Sequence, residues 1–132
     1  MAGAERGLFR AAHDCSHGGL GVALAEVAMG GPYQETGFGL DLDLSAYGGA
    51  ALAGTELLFS ESQGRAVVTS APERAGAVVA LAQELDVPVY RAGTVGARDG
   101  MVRIRLRDAL VQHSVTALRE VYFSAVPRRM GD

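Results

Sequence analysis

Two short polar segments hold most of the residues that could do chemistry. The first, His13-Asp14-Cys15-Ser16-His17-Gly18-Gly19, stands immediately before an apolar run with helical spacing. A turn of small residues at a helix start exposes unpaired backbone N–H groups, and the helix dipole favours an anion there. Gly18 and Gly19 would let a phosphate approach the main chain closely. The same residues also make an ordinary helix start, with Ser16 as cap, Asp14 ordering the turn and the glycines closing it. Residue chemistry by itself favours that simpler reading. The segment is not a P-loop, since G-x-x-x-x-G-K-S/T is absent and the chain has no lysine. The second segment, Glu61-Ser62-Gln63-Gly64-Arg65, gathers acceptors and donors that suit a sugar hydroxyl, an amide or a metal-bound phosphate. Its simpler reading, also the favoured one from the residues alone, is a solvated loop turned by Gly64.

Other chemistries have weaker support. His13, Cys15 and His17 alternate, but three candidate ligands without a second cluster make a poor zinc signature, and no metal site is assigned. A lone cysteine is usually a small buried hydrophobe, so Cys15 is not taken as a nucleophile and no catalytic residue is assigned. Asp41 and Asp43 read as charges on a strand's outer face, as do Arg103, Arg105 and Arg107. His113 reads as a packing or surface position in the last helix.

The elements that must position these residues follow from periodicity. Leu20, Ala23, Leu24, Val27 and Ala28 share a helical face that Gly30-Gly31-Pro32 ends. Thr36 to Leu44 alternates as a half-buried strand, and a short helix is expected over Ala50 to Phe59. Arg65 to Ser70 reads as a buried strand around Val67 and Val68. Pro72 suits the first residue of a helix with Ala75, Val78, Val79, Ala82 and Leu85 as its stripe. Val87 to Val95 and a strand through Val102, Ile104 and Leu106 flank Ala97-Arg98-Asp99-Gly100, the strongest hairpin signal in the chain. Asp108 is placed to cap a final helix carrying Leu110, Val111, Ser114, Leu118, Val121 and Tyr122. Leu8, Phe9 and Ala12 look like the last turn of a helix whose beginning is missing, though a short N-terminal arm fits equally. The fold class expected is a layered α/β (α+β) domain, a mixed, mostly four-stranded sheet covered by helices.

Composition sets the outer limits. The chain has 132 residues, 48% of them hydrophobic, and a net charge of −3. That suits one domain, residues 1–132, burying about two-thirds of its unfolded surface, and it excludes intrinsic disorder. All 12 basic residues are arginine, which GC-rich coding accounts for more simply than function does. With a pI near 5.6 and no basic stripe, electrostatically driven nucleic-acid binding is not expected. A single cysteine, no long apolar run and no signal-peptide pattern point to a soluble, cytoplasmic protein without membrane contact.

Three stretches taken together resemble a known family. Ala11-Ala12-His13-Asp14-Cys15-Ser16-His17-Gly18-Gly19-Leu20-Gly21-Val22-Ala23-Leu24-Ala25-Glu26, then Leu58-Phe59-Ser60-Glu61-Ser62-Gln63-Gly64-Arg65-Ala66-Val67-Val68, then Val87-Pro88-Val89-Tyr90-Arg91-Ala92-Gly93-Thr94-Val95-Gly96 are similar, in order and spacing, to the C-terminal domain of phosphoribosylformylglycinamidine (FGAM) synthases. These belong among the aminoimidazole ribonucleotide synthase-like proteins, with thiamine-monophosphate kinase, selenophosphate synthetase and a hydrogenase maturation factor. The resemblance implies ATP- and Mg2+-dependent conversion of formylglycinamide ribonucleotide to its amidine, in purine biosynthesis. ATP would activate the amide oxygen as a phosphate ester, and ammonia from glutamine would displace it. Most ATP, Mg2+ and catalytic contacts would lie in domains outside this chain, and a glutaminase domain or subunit would supply ammonia, with a small accessory subunit in some forms.

This stretch corresponds to the second of two pseudo-symmetric halves, whose site can hold an auxiliary nucleotide. Asp14, Ser16, Gly18, Gly19, Glu61, Ser62, Gln63 and Arg65 are therefore carried over as pocket-lining candidates, and the domain alone is expected to be inactive. His17 departs from the family, which usually has Asp there. An imidazole in that place weakens any cation-linked role and favours a structural site. The alternatives are a free-standing binding or dimerisation module of the same fold, or the matching domain of the kinase or the selenophosphate synthetase.

Overall fold

The computed structural model describes residues 2–15, 17–30, 36–47, 54–61 and 64–130. Among the described residues five helices and six strands run in the order α1 (Ala2–Glu5), β1 (Ala11–Asp14), α2 (Gly19–Met29), β2 (Phe38–Asp43), α3 (Gly54–Phe59), β3 (Ala66–Thr69), α4 (Ala75–Glu84), β4 (Gly93–Arg98), β5 (Met101–Arg105), β6 (Leu110–Ser114) and α5 (Val115–Met130). A 3-10 turn, Pro72–Arg74, leads into α4 with proline at its start, as the fixed φ of that residue favours. The expected extension of α3 back to Ala50 falls outside the described residues.

The architecture is the expected mixed α/β one, with a four-stranded sheet ordered β4-β2-β5-β6 and a separate two-stranded ribbon of β1 and β3. β2 runs antiparallel to β4 and parallel to β5. Its alternation does what its pattern requires. Leu40, Leu42 and Leu44 are buried, while Asp41 and Asp43 face outward. There they lie in register with Arg103 and Arg105 of β5, so opposite charges stand on neighbouring strands of the exposed face. On the inner face, Val102, Ile104 and Leu106 join the β2 leucines, Leu20, Ala23, Leu24 and Ala28 of α2, and Leu57 and Leu58 of α3 in one core. By contrast, α4 buries only Leu81 fully, and the last residue of its expected stripe, Leu85, is exposed.

Several expectations are corrected. Leu8, Phe9 and Ala12 do not form the last turn of a helix: α1 ends at Glu5, Leu8 and Phe9 are in irregular chain, and Ala12 lies in strand β1, paired antiparallel with β3 from Ala11↔Thr69 to Asp14↔Ala66. Val67 and Val68 of β3 are only partly covered, because a two-stranded ribbon has no sheet on either side to bury them. The strand expected over Val87 to Val95 starts later, at Gly93, and continues to Arg98.

The turn at Ala97 to Gly100 forms, with Asp99 at φ 48° and the Gly100 N–H bonded to the Ala97 carbonyl, but it is not a hairpin turn. β2 is inserted between the two strands it connects. The turn crosses beneath the start of β2, where the Asp99 N–H donates to the Gly37 carbonyl at 2.9 Å and the Gly37 N–H to Asp99 Oδ1 at 3.3 Å. Gly39 makes that crossing possible, since a Cβ there would stand 2.7 Å from the Met101 carbonyl oxygen.

The true hairpin joins β5 and β6 through Arg107-Asp108, where the Leu106 N–H bonds to the Ala109 carbonyl. Leu110 to Ser114 is therefore strand rather than helix, and His113 sits on β6. The final helix starts at Val115, capped by Ser114 Oγ, which accepts the Ala117 N–H at 3.1 Å, and not by Asp108.

Candidate functional site

The two polar segments, 43 residues apart in sequence, meet at the N-terminus of α2. Gly18 stands at the cap position in a left-handed conformation, φ 80°, and donates its N–H to Glu61 Oε1 at 2.8 Å. A carboxylate there satisfies one of the donors a helix start leaves open and complements the dipole. Glu61 thus does from a distance what Ser16 was expected to do locally. Gly19, at φ 77°, is buried against the end of α3. A Cβ on it would lie 2.8 Å from the carbonyl oxygens of both Leu58 and Ser60. Gly21 continues that close approach, so the glycines seat α2 on α3.

Arg65 faces inward across the same loop. Its Nη2 donates to the Ser60 carbonyl and, at 3.1 Å, to Ser60 Oγ, while Nη1 reaches the Leu57 carbonyl at 3.5 Å. Its own carbonyl accepts the Cys15 N–H at 3.2 Å. Asp14 is exposed at the end of β1, with an interaction of its own. Ser16, Ser62 and Gln63 lie outside the described residues.

His13, Cys15 and His17 do not converge. Cys15 is fully buried in the core, and burial pushes its thiol above the ordinary range, partly opposed by Arg65. His13 Nδ1 lies 3.8 Å from Glu26 Oε2 on α2, and His17 is exposed. Among the described residues no three His, Cys, Asp or Glu side chains group as metal ligands. Asp43 is held below the usual carboxylate range, first by the Ser45 hydroxyl at 2.5 Å and then by the Ser45 N–H. That places it in a local turn rather than in the site.

This donor set does not fit a bare phosphate. The Gly18 N–H, the natural anion donor, is already held by Glu61, and the two terminal nitrogens of Arg65 are committed to the Leu57 carbonyl and to Ser60, while its Nε is buried without a partner. Sequence reasoning overlooked the Leu57 and Ser60 carbonyls as acceptors and the packing role of Gly19. The Gly18-Gly19-x-Gly21 spacing was the available signal for the second.

The chain's sequence places it in a family. Residues 1–105 match the model for the C-terminal domain of AIR synthase related proteins, and the chain belongs to that family. β6 and α5 lie outside the matched residues. More particularly, the chain is 39% identical over 130 residues to the phosphoribosylformylglycinamidine synthase subunit PurL of Thermobifida fusca, covering 98% of this chain and 15% of the relative. It is 40% identical over 128 residues to the same subunit from Thermococcus kodakarensis, covering 97% of this chain and 16% of the relative. Among solved structures, T. maritima PurL complexed with ATP superposes with a TM-score of 0.71 at 28% identity, over 89% of this chain and 20% of that one. The chain thus spans 15–16% of the length of these two relatives.

Proposed function

We propose that this chain acts as the C-terminal domain of an FGAM synthase, an ATP-dependent ligase of purine biosynthesis. The whole enzyme would convert formylglycinamide ribonucleotide and glutamine-derived ammonia to the amidine. The observation that carries this reading is the 39% identity to such a synthase subunit over 98% of the chain. The ATP in the similar T. maritima structure supports ATP use by the parent enzyme. The relatives' designation as a subunit supports association with further domains and subunits, including a source of ammonia. Mg2+ and a cytoplasmic location belong to the same proposal. Among the described residues no helix is long and apolar enough to cross a membrane.

Within that enzyme the domain's part is scaffold and pocket wall. Gly18, Gly19 and Glu61 meet at one end of α2, and Asp14, Ser16, Ser62 and Gln63 neighbour them in sequence. An auxiliary nucleotide would bring its phosphate to the α2 N-terminus only by displacing Glu61. Most catalytic contacts would lie in domains outside this chain, so the chain alone is expected to be inactive.

The test begins with an antibody raised to this chain, used to size and capture the native product from source cells. A product several times heavier than 13.7 kDa that forms the amidine from ATP, ammonia and substrate supports the reading. A product of 13.7 kDa without that activity would replace it with a free-standing binding module.

A further inference from the structure

We propose that Arg65 is a positioning residue. It fixes the loop that carries Glu61, and so sets the hydrogen bond by which Glu61 closes the N-terminus of α2. The inference rests on reading this end of α2 as the functional face, but its geometry involves no ligand.

Arg65 ties three pieces of chain together. Its main-chain carbonyl holds the Cys15 N–H, on the segment leading into α2. Its side chain turns back to the carbonyls of Leu57 and Ser60 and to the Ser60 hydroxyl, at the C-terminal end of α3. Those carbonyls include acceptors that a helix end leaves unpaired, and a cation there also complements the dipole. Glu61 follows Ser60 directly. A shift of Ser60 by about 1 Å would carry the Glu61 carboxylate beyond hydrogen-bond range of the Gly18 N–H, now 2.8 Å away.

The arrangement uses the guanidinium's shape as well as its charge. Three acceptors from two residues are met by the two terminal nitrogens of one planar group, a geometry that a lysine ammonium does not reproduce. Because the group is half-buried and committed to these acceptors, it holds the wall of the site rather than facing an incoming ligand.

The experiment follows the Gly18 amide of the 15N-labelled chain by hydrogen exchange. In the wild type the amide is expected to be protected, and Glu61→Ala, which removes its acceptor, to weaken that protection. Arg65→Ala is expected to speed exchange at Gly18 about tenfold, while amides of the β5–β6 hairpin keep their protection. A folded Arg65→Ala variant with wild-type behaviour at Gly18 overturns the proposal, whatever its melting temperature.

If that variant does not fold, Arg65→Lys decides. Recovered stability with lost Gly18 protection supports a positioning role, and wild-type protection at Gly18 overturns it. A parent enzyme that forms no amidine would overturn the functional reading and leave the Gly18 result unchanged, so the two failures are distinguishable.

Discussion

Replacing Gly19 by alanine should be among the most damaging single changes available in this domain, although it adds one methyl group. Two costs combine. At φ 77° an L-residue is in the left-handed region, which costs about 1–2 kcal/mol. The new Cβ would also stand 2.8 Å from the carbonyl oxygens of Leu58 and Ser60 and 2.9 Å from the carbonyl carbon of Phe59. These are backbone atoms, so no side chain can rotate away and α3 must shift against α2. Overpacking of that kind costs about 1–3 kcal/mol. Together the loss is about 2–5 kcal/mol, a large part of the roughly 5–15 kcal/mol that stabilises a typical domain.

Gly76, in α4, is the control. No atom would meet its Cβ within 4 Å, so Gly76→Ala should stabilise by about 0.5–1 kcal/mol. Urea unfolding followed by far-UV circular dichroism measures both, as midpoint shifts in opposite directions at constant slope. A Gly19→Ala variant within about 0.5 kcal/mol of the wild type would refute the claim that α2 and α3 meet through this glycine.

Three further outcomes can be checked. Leu24→Ala, at a side chain only 4% exposed in the middle of the core, should cost about 2–5 kcal/mol by thermal unfolding. Cys15 should resist an aromatic disulfide reagent in the folded protein and react quickly in denaturant, because burial raises its thiol and closes access; rapid labelling of the native chain would contradict this. Asp43 has a folded value below its unfolded one, so the unfolded chain binds the proton more readily. Its contribution is present above the ordinary aspartate value, near 3.9, and is lost as pH falls through the lowered one. Asp43→Asn should flatten the acid limb of a stability–pH curve, and an unchanged limb would remove Ser45 as the cause.

The parts of this fold that were legible in the chain are those where one residue pattern serves one environment. The stripe of α2 and the alternation of β2 and β5 each bury a single face, so periodicity alone locates them. The Asp99-Gly100 turn was legible as a turn because its left-handed residue and glycine are local requirements. Its partner strands were not, because whether two runs pair directly or receive a third between them depends on a strand more than fifty residues earlier. The β5–β6 hairpin escaped notice for the opposite reason, since Arg107-Asp108 carries no glycine. β1 is four residues long, with too few alternations to distinguish it from a helix turn.

For the candidate site, the sequence by itself determined which residue types were available: a glycine turn opening α2, a Glu-Ser-Gln-Gly-Arg loop and a spacing similar to one family. That Glu61 occupies the α2 N-terminus and Arg65 turns inward to the end of α3 follows from the packing of elements distant in the chain. Both are contacts between elements, set by how α2 and α3 pack around Gly19. A helix dipole and its open N–H groups attract any anion within reach, and chain packing selects which one arrives.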